Sequence, residues 1–91
     1  MKTKIFYRVD YWPANNKGAG KLIGFFDELS SAMAEIPYNY SQTDQTMTEA
    51  EQKLNAHHTL TTYSGPGNLT AEQAWEEGHI LTDDTFILNQ Q

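Results

Sequence analysis

From Thr3 to Trp12 the side chains alternate, with Ile5, Tyr7, Val9 and Tyr11 on one face and Lys4, Phe6, Arg8 and Asp10 on the other. That is the period-two pattern of a half-buried strand. Pro13 to Gly20 is turn chemistry, because Pro fixes φ while Asn and Gly tolerate positive φ. Lys21 to Phe26 then resumes an extended pattern. The two runs predict an N-terminal β-hairpin with a long tip.

The period changes at Asp27. Leu29, Ala32, Met33 and Ile36 fall at i, i+3, i+4 and i+7, an apolar stripe of helical spacing with Asp27 available as N-cap and Pro37 as a stop. Residues 38–46 hold no aliphatic side chain and predict a surface loop, longer than the usual connection and suited to binding, with Tyr38 and Tyr40 its only large side chains. Thr48 and Glu51 have the spacing of a capping box and predict a second helix, with Ala50, Leu54 and His57 or His58 on its inner edge. Thr59 to Tyr63 reads as a short strand and Ser64 to Asn68 as a turn. Thr70 and Gln73 form a second capping box, opening a helix with Ala71, Ala74 and Trp75 inward and Gly78 at C′. The apolar residues of the tail, from Ile80 to Leu88, flank a turn at Asp83-Asp84 and predict one or two closing strands.

The expected architecture is α+β. A small, mostly antiparallel sheet starts with the N-terminal β-hairpin, about three short helices pack on it, and 1–91 form a single domain. Leu, Ile, Val and Phe total 17 of 91 residues, just under the roughly one-fifth level at which strongly charged chains lose their fold. The aromatic residues, at 12%, restore bulk to a thin core. With no cysteine the chain has no disulfide, thiolate nucleophile or Cys-based metal site, which favours a reducing compartment. The basic start, Lys2 and Lys4, is followed by too short an apolar run for a secretory leader, and no window approaches a membrane span, so the expected location is cytoplasmic. The Asn-x-Ser/Thr triplets at Asn39 and Asn68 then have no glycan to accept.

Charge is divided unevenly. Residues 1–26 carry Lys2, Lys4, Arg8, Lys17 and Lys21 against Asp10, a net +4, whereas residues 27–91 carry Lys53 against eleven carboxylates, a net −10. Glu72, Glu76, Glu77, Asp83 and Asp84 gather on the last helix and the turn after it. Such a surface repels nucleic acid and attracts basic partners. The same charges also suit a soluble protein whose acidic helices simply complement a mildly basic hairpin.

Reactive constellations are incomplete. Gly18-Ala19-Gly20-Lys21 lacks the upstream Gly and downstream Ser/Thr of a phosphate loop. Gly65-Pro66-Gly67 precedes a helix start, but Pro66 removes one of the donors an anion would need. His57 and His58, adjacent in sequence, do not face one metal, and with His79 they are the only imidazoles. Ser64 lacks the Gly-x-Ser-x-Gly elbow, and neither Glu76-Glu77 nor Asp83-Asp84 has calcium-loop spacing. No cofactor or metal is expected.

These features point to a small acidic, non-catalytic protein-binding module, of the kind found among accessory and phage-type proteins. One version is an inhibitor that occupies a basic, nucleic-acid-binding surface on its partner. The expected contact residues are Glu72, Glu76, Glu77, Asp83 and Asp84 with the surface aromatics Trp12, Tyr38 and Tyr40. Two alternatives come from other classes: a nucleic-acid contact through Lys4, Arg8, Lys17 and Lys21 of the hairpin, and a small enzyme using surface carboxylates and His57. A homodimer through edge-strand pairing or aromatic burial also fits a small sheet.

Overall fold

A computed structural model describes residues 2–16, 19–43, 48, 50, 51 and 54–89. Five strands form one antiparallel sheet: β1 (Thr3–Trp12), β2 (Lys21–Phe26), β3 (Tyr40–Gln42), β4 (His57–Pro66) and β5 (His79–Leu88), in the spatial order β2-β1-β4-β5-β3. Two short helices, α1 (Leu29–Met33) and α2 (Ala71–Glu77), complete the described fold. β1 and β2 form the expected hairpin, and Asn15 turns its tip in the left-handed region at φ 57°, which Asn tolerates better than most residues.

The register explains why β1 needs apolar residues of both parities. Val9 pairs with Leu60 and Phe6 with Tyr63, so these pairs lie on opposite faces of the sheet. Over Val9 and Leu60 lie Ala32 of α1 and Ile36, three residues past its end, joined by Phe86 in one buried cluster. Over Phe6 and Tyr63, α2 lays Ala71 and Ala74 in a second. Among the described residues the sheet is therefore a central layer with α1 on one face and α2 on the other, and the buried side chains form two small clusters.

Tyr63, Phe6 and Val9 are the largest fully buried side chains. The Phe6 and Tyr63 rings lie 5.7 Å apart, Trp75 meets Tyr63 edge-on at 5.0 Å, and the Tyr63 hydroxyl donates to the Ala71 carbonyl. That bond ties β4 to the first turn of α2. Close packing at the other end of α2 requires small residues: a Cβ on Gly78 would stand 2.8 Å from the Ala74 carbonyl oxygen and 2.9 Å from the Tyr63 ring. Gly78 has an extended backbone, φ −77° and ψ 161°, so what it provides is space and not the left-handed C′ turn expected of it.

Several other expectations are corrected. The first helix is only five residues long, Glu28 and not Asp27 is its N-cap, and the cap makes no side-chain bond. His57 and His58 begin β4 instead of closing a helix. Of the helix expected from Thr48, the cap is present, with the Glu51 amide donating to Thr48 Oγ1 at 3.1 Å, but Glu49, Gln52 and Lys53 lie outside the described residues. Leu54, expected on its inner edge, is exposed. Asp83 and Asp84 form no turn; they sit within β5, which runs unbroken on either side of them. The capping box at Thr70 and Gln73 is present in both directions, at 3.2 and 3.1 Å.

Candidate functional site

The free edge of the hairpin faces a groove. β2 stands first in the strand order, so β1 satisfies one side of its backbone and the other is unpaired among the described residues. Along that side runs an open groove of about 780 Å³ lined by Leu22, Ile23, Gly24, Phe25 and Phe26 of the strand, with the start of α1 and the start of α2 as its walls. Asp27, Glu28 and Ser31 stand on the α1 side, and Thr70, Ala71 and Glu72 on the α2 side. Because α1 and α2 cover opposite faces of the sheet, the walls rise on either side of the β2 edge. No Lys or Arg lines it, and its titratable groups are Asp27, Glu28 and Glu72. Of these, Asp27 meets Lys4 at 3.7 Å, an exposed pair.

The expected contact residues do not all converge there. Glu72 does. Glu77, farther along α2, lines a separate hollow of about 280 Å³ with Lys2, Ser64 and His79, and Glu76 is exposed on the helix. Asp83 and Asp84 point to opposite faces of β5, where Asp83 accepts from Thr61 Oγ1 at 2.7 Å and Asp84 from Gln42 Nε2 at 3.1 Å. Tyr38 is fully exposed. Tyr40 belongs to β3 and meets the His58 ring edge-on at 4.5 Å. Burial raises the Tyr40 pKa, with a further contribution from Tyr11. Trp12, 40% exposed, stacks on His57 at 6.3 Å and donates its indole N–H to Thr59. Asp27, which the sequence offers only as a helix cap, and Glu28, to which it gives no role, also line the groove. The signal available was two consecutive acids directly after an apolar strand that the topology leaves at the sheet edge.

Two of the hairpin cations are engaged. Arg8 forms a two-pronged pair with the buried Asp10, and its guanidinium lies 4.5 Å from the Trp75 ring centre and 5.6 Å from that of Phe25. Lys4 leans toward Asp27 and over the Phe6 ring. His57 and His58 are held by packing: His57 Nδ1 lies 2.8 Å from the Asn55 carbonyl, while His58 is packed against Tyr11 and Tyr40. Burial, then the neighbouring His57, lowers the His58 pKa below 6.5.

Among the described residues no three His, Asp or Glu side chains gather where they could hold a metal ion. Among the described residues no helix is long and apolar enough to cross a membrane. No protein-family model, curated protein or solved structure matches the chain.

Proposed function

We propose that this protein is a non-catalytic binding module that takes a basic protein partner at the acidic groove along β2. The observation that carries the reading is the composition of that groove: an apolar floor from Leu22 to Phe26 with carboxylates on both walls and no cation among its lining residues. An apolar floor supplies burial, and fixed charges at the rim supply orientation and a faster encounter. The net charge of −6 adds long-range attraction for a cationic partner and repulsion for nucleic acid. A partner surface that normally holds a phosphate backbone has the matching chemistry, which makes an inhibitor or accessory protein the fitting role. The compartment that fits is the cytoplasm, since a chain without cysteine gains nothing from an oxidising one.

The test is binding of poly-L-lysine, poly-L-glutamate and a DNA duplex by the intact protein and by its Glu28→Lys, Glu72→Lys double variant. Both positions are exposed, so the variant keeps the fold. Binding of polylysine alone, weakened by salt and lost in the double variant, is the expected result. Duplex binding lost on Lys4→Glu would transfer the function to the hairpin instead.

A further inference from the structure

We infer that the partner enters the β2 groove as an extended segment and adds to the sheet as a sixth strand, its main chain hydrogen-bonded to the open edge of β2. This rests on the binding reading above and specifies how the partner is held. Three features of the groove lead there together.

The first is direction. Five consecutive strand residues, Leu22 to Phe26, line the groove, so it runs along the strand instead of meeting it at a point. A six-residue strand offers about 20 Å of edge at roughly 3.3 Å per residue. The second is shape. The starts of α1 and α2 stand on opposite faces of the sheet and leave a slot at the plane of β2, the plane an added strand occupies. An open edge in such a slot is the arrangement used by proteins that recognise extended peptides, in which main-chain bonds give affinity and alternate side chains give specificity.

The third is charge. Side chains of an added strand point alternately to the two faces, and here each face presents acid: Glu72 on the α2 wall, Glu28 on the α1 wall. Neither makes an ion pair among the described residues, whereas Asp27 already faces Lys4. The occupant is therefore a Lys- or Arg-bearing segment with aliphatic or aromatic residues between the charges, the latter resting on Leu22, Ile23, Phe25 and Phe26. A second copy of this chain brings a further net charge of −6 to the same slot, so a slender cationic strand suits it better. At the opposite side of the sheet, β3 pairs with the last residues of β5 and the strand's free part carries Asp83, whereas the open edge of β2 is interrupted by a single one-residue slip of its ladder at Ile23.

The experiment uses the full chain and a synthetic peptide, acetyl-(Lys-Val)4-amide, followed by isothermal titration calorimetry at low salt. Three analogues are N-methylated at every Lys, at every Val or at every residue. Because both faces carry acid, the strand can seat either parity against β2, so at least one half-methylated analogue should bind like the parent while the fully methylated one loses about tenfold or more in affinity, the effect of removing several main-chain bonds. If the fully methylated analogue is kept, or both half-methylated ones are lost, strand addition is overturned while capture of basic partners stands. If neither the parent peptide nor polylysine binds, the basic-partner reading itself fails. Sedimentation of the free protein as a dimer that Leu22→Lys dissociates would assign the slot to a second copy and overturn the proposal.

Discussion

Arg8 and Asp10, two residues apart on one face of β1, close a charge pair through two bonds, Nε to Oδ2 at 2.9 Å and Nη2 to Oδ1 at 3.1 Å. Asp10 is buried, and the aromatic rings of Trp75 and Phe25 flank the guanidinium. The pair links the β1–β2 hairpin to α2 and engages one of the hairpin's cations. Asp10→Asn leaves a partly buried guanidinium without its counter-charge, and we expect a loss of about 2–3 kcal/mol, measured by urea denaturation. Unchanged stability would mean that the rings alone hold Arg8.

Tyr63 carries the second cluster. Burial, together with Asp27, pushes its hydroxyl pKa up to about 12, against an opposing effect from Arg8. The folded state thus favours the neutral phenol, and the stability that Tyr63 contributes is fully present below pH 10, the unfolded value, and is lost as the pH rises from 10 toward 12. Tyr63→Phe removes the bond to the Ala71 carbonyl and should cost about 1–2 kcal/mol at neutral pH while removing that residue's part of the alkaline decline. Thermal melts of both proteins from pH 7 to 11.5 check it.

His58 works at the other end of the pH scale. Its ring is buried against Tyr11 and Tyr40, and among the described residues its Nδ1 has no hydrogen-bond partner. Because its folded pKa lies below 6.5, the unfolded chain binds the proton more readily; stability is full above pH 6.5 and falls as the pH drops through the folded value. His58→Phe keeps an aromatic ring between the tyrosines and should flatten the dependence between pH 7 and 5. A variant whose melting temperature tracks the wild type across that range would place the titration elsewhere.

The hairpin and the last helix are legible in sequence because their signals are local: period-two alternation, turn residues at the tip, and the Thr70–Gln73 capping box. The single-faced reading of β1 misses that α1 and α2 cover both faces, which depends on how a distant β4 registers against it. His57 and His58 look helical beside Ala50 and Leu54, yet ring contacts with Trp12, Tyr11 and Tyr40 draw them into a strand. Asp83-Asp84 has the composition of a turn. In the sheet each acid instead finds a partner on its own face, Thr61 for one and Gln42 for the other, and β5 continues. Of the groove's acids only Glu72 is legible as a contact residue in sequence, since its approach to Asp27 and Glu28 depends on strand order.

Docking of a basic partner in the acidic β2 groove is tested by titrating isotope-labelled protein with acetyl-(Lys-Val)4-amide and following backbone amide chemical shifts. The largest changes are expected on residues 22–28 and 70–72. Changes centred instead on Asp83, Asp84 and the Tyr40–Gln42 strand, or on the hairpin cations, would contradict it.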